Sequence, residues 1–306
     1  MLKKRQFQKK PLNFTELIQK MSDKGMRIAD HEFACRTLRN VGYYRLTGYG
    51  LAFETYENRQ RLGQFKPGTS FDQLINAYAV DSKLRSSILE AIERIEVAMR
   101  SIISHKLSVQ YKTAHWYLDP SLFKENDTFK HSSLIREIAR NTGKSITLGS
   151  DKDQLREIFI RHYYQHYDDP ELPPSWMVAE VLSIGNWSKI YEHLAISRDR
   201  KLISSALDLS PPTLESWLHC LTFIRNACAH HGRLFARILP LPPKRDKNLP
   251  FTKHNYVFNF ICVISYFLNQ IEPDNTWCTE VHGIISELEC DTKYFGIPKN
   301  GLINLL

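Results

Sequence analysis

Apolar residues recur at intervals of three and four along most of the chain, and strand-like alternation is nearly absent, so the pattern predicts an all-α fold. A short helix is expected from Asn13-Phe14-Thr15-Glu16 to Lys24, closed by Gly25, and a second after Asp30 through Phe33, Leu38 and Val41. The polar stretch 56–69, with Gly63, Pro67 and Gly68, reads as a loop or a small hairpin. Ser70 with Gln73 forms a capping-box pattern ahead of a stripe through Leu74, Tyr78, Leu84, Ile88, Ile92, Ile95, Met99 and Ile102. Nothing interrupts Phe71 to Tyr111, although Asp81-Ser82 marks the place for a break. Between Trp116 and Asp169 regularity falls, and Asp151 reads as the cap of a helix containing Leu155, Ile158 and Phe159. Pro173-Pro174 forces a break, and one apolar helix is expected from there through Val181 and Leu182 to Gly185. Ser210-Pro211-Pro212 starts an amphipathic helix striped by Leu214, Trp217, Leu218 and Leu221. Beyond Pro240-Leu241-Pro242-Pro243 come an apolar helix over 251–271, another from Trp277 to Leu288, and a docked ending at Tyr294-Phe295-Gly296-Ile297-Pro298. The expected organisation is an N-terminal helical region, 1–69, and a larger helical domain, 70–306.

The chemistry is concentrated where the Leu214–Leu221 stripe runs out, in Arg225-Asn226-Ala227-Cys228-Ala229-His230-His231-Gly232-Arg233. Arginine presents a permanently charged planar fork that matches phosphate oxygens, and histidine exchanges protons near neutral pH. Arg225 continues the buried-facing stripe, where a charge needs a partner or a ligand. In a straight helix His230 lies roughly 140° around the axis from Arg225. The two therefore meet one phosphate only if the helix unwinds near His230 or a second subunit completes the site. Gly232 is the natural place for the helix to end. The competing structural reading makes Arg225 a helix cap or the partner of a glutamate such as Glu180, and the histidines solvated cations at a helix C-terminus.

Composition adds a partner. A net charge of +8 and a pI near 9.1 suit a polyanion. The six cysteines are scattered without a C-x-x-C pair, which argues against a zinc site or a disulfide framework and fits a reducing cytoplasm. The basic Met1-Leu2-Lys3-Lys4-Arg5 has no apolar segment behind it, so no signal peptide is expected, and Tyr256–Leu268 is too short for a membrane span. No metal or cofactor is expected. Tyr43, Tyr44 and Arg45, and again Arg161 and His162, mix basic and aromatic side chains on which bases stack, although tyrosines packed between helices are commoner.

Arg225 to His230 resembles the R-x4-6-H motif of the HEPN superfamily, and RNACAHHGRLF is similar to the Abi-like (AbiD/AbiF) abortive-infection proteins. The bare motif is unspecific, since Arg100/His105, Arg156/His162 and Arg161/His166 also fit; Asn226, His231 and Arg233 make the match specific. YYRLTGY at 43–49, the IE-x-x-x-R segment carrying Glu96 and Arg100, and PPSWMVAEVLSIGNWSKIY at 173–191 resemble the same family. The resemblance implies a HEPN-type helical bundle and a metal-independent endoribonuclease with Arg225 and His230 as catalytic residues. Asn226, His231, Arg233, Glu96 and Arg100 then support the site. It further implies RNA as substrate, cleavage by the 2′-hydroxyl to 2′,3′-cyclic phosphate ends, a homodimer with a composite site, an antiphage or toxin-like role, and a restraining RNA or protein antitoxin. The rival classes are a non-catalytic RNA-binding helical module and a helical protein–protein scaffold.

Overall fold

In the computed structural model, which describes residues 6–58, 60–298, 301, 302 and 305, the chain enters through two side-chain-capped helices. Asn13 and Glu16 form a reciprocal capping box on α1 (Phe14–Ser22), and the Asp30 carboxylate accepts from the Phe33 amide to start α2 (His31–Val41). Met1 to Arg5 lie outside the described residues, and the rest of the basic lead-in is exposed. α3 (Tyr43–Gly50) leads into an antiparallel hairpin of β1 (Glu54–Glu57) and β2 (Gln60–Phe65), the only sheet among the described residues. Arg61 on β2 pairs with the buried carboxylate of Glu54 on β1.

Ser70 and Gln73 complete the expected capping box, and α4 (Phe71–Tyr111) runs unbroken for 41 residues, roughly 60 Å. Asp81 does not interrupt it, contrary to expectation, because its side chain turns into the core and finds all its partners there. The irregular third holds a helix that its polarity conceals: α5 (His131–Asn141) buries only Leu134 and Ile138, four residues apart. Asp151 does not cap a helix. Asp153 instead accepts from the Gly149 amide and pairs with buried Arg156, and α6 (Ile158–His166) begins later, at Ile158.

The single helix expected after Pro173-Pro174 is two helices, α7 (Ser175–Val181) and α8 (Ile184–Glu192), because Ser183 and Asn186 form a new capping box between them. α9 (Ser197–Ser204) precedes α10 (Pro211–Ala229), capped by Ser210 as its sequence predicts. α11 (Val257–Ile271) starts six residues later than expected, and α12 (Trp277–Ser286) follows. Among the described residues no helix is long and apolar enough to cross a membrane.

α4 is the mast of a mainly helical bundle: α3, α7, α8, α9, α10, α11 and α12 all pack against it. Its inner stripe of Leu84, Ile88, Ala91, Ile92 and Ile95 is fully buried. The core is continuous from Ile18 and Leu38 in the first two helices to Phe295 in the docked ending.

One polar cluster interrupts this core. Asp81 on α4 accepts from the Tyr49 hydroxyl at 2.6 Å, the Leu234 amide at 3.0 Å and the Phe235 amide at 2.8 Å, and pairs with Arg85 one turn along. Burial pushes the Asp81 carboxyl above its ordinary value, opposed by Arg85, the phenol and the two amides. Asp81→Asn leaves the buried Arg85 charge without its counter-ion and should cost about 3–5 kcal/mol in urea unfolding. Tyr49→Phe, which removes one hydrogen bond to the carboxylate but leaves the ion pair in place, should cost less, about 1.5–3 kcal/mol. A cost for Asp81→Asn no greater than that of Tyr49→Phe would show that the cluster does not hold the fold.

Candidate active site at the end of α10

The arginine–histidine segment sits where α10 stops, and its backbone explains how it stops. The His230 amide still donates to the Asn226 carbonyl at 3.0 Å, the bond of an unbroken helix. The Gly232 amide then reaches back to the Ala227 carbonyl at 2.7 Å, and the His231 amide to the Cys228 carbonyl at 2.9 Å. This crossed pair is a Schellman closure, with the left-handed position taken by His231 at φ 56° rather than by Gly232. Glycine is required one residue later for another reason: a Cβ on Gly232 would lie 2.8 Å from the Ala227 carbonyl oxygen.

Three further contacts lock the segment. Arg45 on α3 donates to the His231 carbonyl at 2.8 Å, so the tyrosine-rich element and the arginine–histidine element, 186 residues apart, form one unit. The amides of Leu234 and Phe235 are tied to Asp81. Phe235 is fully buried among Tyr49, Phe53, Tyr294 and Phe295, so the docked ending braces the same turn. Arg233 bends back over the Tyr49 ring and donates to the Phe235 carbonyl at 2.7 Å; burial lowers its pKa. Its approach is possible because Gly48 has no side chain, a Cβ there meeting Arg233 Nε at 3.3 Å.

His230 and His231 are left exposed and Arg225 half-buried. Among the described residues the Arg225 guanidinium hydrogen-bonds only to the neighbouring Asn226 side chain, at 3.3 Å. Glu180 is exposed on α7 and does not pair with it. Since α10 stays helical to Ala229, Arg225 and His230 keep their roughly 140° separation around the axis. Unwinding does not bring them together. Cys228, between them in sequence, is buried, and burial pushes its thiol up to about 12, which makes it a packing group rather than a nucleophile.

The remaining site candidates separate clearly. Glu96 and Arg100 are a part-buried pair, and Glu96 also accepts from the Ile184 amide at 2.9 Å, so it holds the N-terminus of α8, which packs on α10. Arg100 is thereby committed to Glu96, while His105 faces a separate groove beside Trp176 and Glu180. Arg156 is spent on Asp153 and on the carbonyls of Gly143 and Ile146. His162 and His166 stack at 4.2 Å on α6, with Arg161 on the same helix, and none of the three hydrogen-bonds to a described residue of the α10 terminus. Tyr43 is partly buried beneath Lys20, whereas Tyr44 is 92% exposed. Among the described residues no three His, Cys, Asp or Glu side chains gather where they could hold a metal ion.

The sequence model of a family described as Abi-like protein matches residues 36–236, about two-thirds of the chain. The chain belongs to the Abi-like family. Neither the curated proteins nor the solved structures contain a match. The matched span of this Abi-like protein holds the segments around Tyr43–Tyr49, Glu96–Arg100, Pro173–Tyr191 and Arg225–Phe235, together with Asp81. Arg61, Asp81 and Arg85 were missed by sequence reading; Asp81 offered a weak signal, as a lone acid on an apolar helical stretch.

His231→Gly should relieve the left-handed strain and stabilise the protein by up to about 1 kcal/mol, raising the thermal midpoint. Gly232→Ala should do the reverse, because backbone rather than a movable side chain stands in its way. A lower midpoint for His231→Gly would mean that the imidazole itself holds the turn.

Proposed function

We propose that this Abi-like protein is a metal-independent endoribonuclease of the HEPN type, acting in the cytoplasm as an abortive-infection effector. The observation that carries the reading is that Arg225 has no structural employment. The helix end is closed by its own backbone and by Arg45, and among the described residues no carboxylate pairs with Arg225. The two bland roles for an arginine at this position are filled by other groups or left vacant, so its fork is available to a phosphate.

The chemistry follows from these groups. A histidine, His230 by preference, takes the proton of a ribose 2′-hydroxyl, and the oxygen attacks the adjacent phosphorus. The bond from phosphorus to the 5′-oxygen breaks, a second acid returns a proton to that oxygen, and the ends are a 2′,3′-cyclic phosphate and a 5′-hydroxyl. Arg225 holds the phosphate and stabilises the charge that builds on its oxygens. Asn226, which accepts from Arg225, orients the guanidinium. Glu96 and Arg100 act at a distance by fixing α8 against α10.

The divergence of Arg225 and His230 around α10 supports a homodimer in which His230 of one copy works on the phosphate held by Arg225 of the other. Such an enzyme would need restraint by an RNA or protein antitoxin. The same divergence also favours a second reading, a non-catalytic RNA-binding module that uses the cations alone.

Cleavage of a labelled RNA in EDTA by the native protein, Arg225→Ala and His230→Ala separates the two. The ribonuclease reading predicts cyclic-phosphate ends from the native protein and a loss of at least about 10²-fold in rate for either variant. Retention of intact RNA by all three proteins would establish the binding module. Equal cleavage by all three would place the activity elsewhere.

A further inference from the structure

A cleft of about 540 Å³ opens beside the α10 terminus, between α3, the hairpin and the His231 turn. It is lined by Tyr44, Arg45, Arg61, His231 and Arg233 together with Thr47, and among the described residues no acidic side chain lines it. Glu54, the one carboxylate engaged there, lies buried against Arg61 and neutralises a single guanidinium. The wall therefore carries the charge of two uncompensated arginines before His231 is counted. Tyr44, which also lines the cleft, is 92% exposed and makes no side-chain hydrogen bond among the described residues. Tyr43 and Tyr49, its neighbours on α3, are by contrast packed or hydrogen-bonded. An exposed ring held on a helix beside cationic side chains is the arrangement on which single-stranded nucleic acid binds: bases stack on the aromatic while the backbone follows the charge.

We infer that this cleft binds one unpaired nucleotide flanking the phosphate at the α10 terminus, with its base on Tyr44 and its phosphate on Arg45. The proposal rests on the reading of the α10 terminus as an RNA site and sharpens it. The preferred RNA is single-stranded or looped at this position, since a base paired in a duplex has no free face for the ring. Arg45 links the two places physically, because it lines the cleft while donating to the His231 carbonyl. Arg233 is a positioning residue here. Its fork is turned to the Phe235 and Ala236 carbonyls, and it contributes charge and shape rather than a free donor pair.

The test measures affinity for a fluorescent single-stranded oligoribonucleotide and for the same sequence in a duplex. It uses the full chain carrying His230→Ala, so that cleavage cannot consume the probe. Tyr44→Ala and Tyr44→Trp are compared in that background. Tyr44→Ala should weaken single-strand binding by about tenfold, Tyr44→Trp should retain it, and duplex binding should be unaffected by either. The dependence of affinity on salt should keep its slope in all three proteins, because no phosphate contact is removed. Equal affinity of Tyr44→Ala and the parent for the single strand would overturn the stacking subsite. So would tight capture of a phosphopeptide that the oligoribonucleotide does not displace. Failure of the native protein to cleave RNA leaves this measurement intact, so loss of the ribonuclease reading and loss of the subsite are separate results.

Discussion

The ion pair of Asp81 with Arg85 is the constraint on which the presentation of the α10 terminus depends. Burying a carboxylate costs several kcal/mol, and the cost is offset only where every lone pair finds a donor. Asp81 meets that condition with donors from three places: Tyr49 on α3, Arg85 on α4, and two consecutive amides of the segment that leaves α10. The carboxylate is satisfied only when all three are assembled. The tyrosine-rich helix, the mast and the arginine–histidine turn are therefore coupled through one side chain, and loosening any of them exposes a buried charge.

That coupling explains the division of labour at the turn. Left-handed backbone at His231 is unfavourable for a side chain by roughly 1–2 kcal/mol. The turn persists because Arg45 holds its carbonyl, Asp81 holds the next two amides, and Phe235 is packed among four aromatic rings. The strain falls on an exposed histidine, while the glycine next to it serves a steric need that glycine alone meets. A position designed for stability alone would carry glycine at 231. Strain tolerated on a solvent-facing imidazole is the pattern expected where a side chain is kept for what it does to a ligand.

The helices were largely legible because their signals are local. Asn13, Asp30, Ser70 and Ser210 cap the helices they begin, and the capping box at Ser70 also told where the longest one starts. What escaped notice was polar or tertiary. α5 has only two buried apolar residues, too few to show a period, and the Ser183–Asn186 box was masked by the apolar residues on both sides of it. Of the site, Arg225, His230 and the tyrosine-rich element could be named from their residue types, yet their joining by Arg45 spans 186 residues and has no local trace. Asp81 looked like a flaw in a helix because its partners lie on α3 and after α10. The Glu96–Arg100 pair was visible as a spacing, but its hold on the Ile184 amide was not.

A helix C-terminus is an unusual place to gather groups suited to a phosphate, and under the proposed reading that gives the clustering of cations its physical sense. Helix N-termini attract anions through their free amides, whereas a C-terminus carries roughly half a negative charge and repels them. A single arginine there would be largely neutralised by the dipole and would gain little from a phosphate. Arg225 and His230 lie in the last turn of α10, and Arg45, Arg61, Arg233 and His231 line the cleft beside it. One carboxylate, Glu54, is set against them, besides the deeply buried Asp81, which Arg85 answers. The surplus exceeds what the dipole absorbs, and closing the helix with its own amides removes the need to spend any further cation on capping. The excess charge is stable without a ligand because it sits at the negative end of a helix.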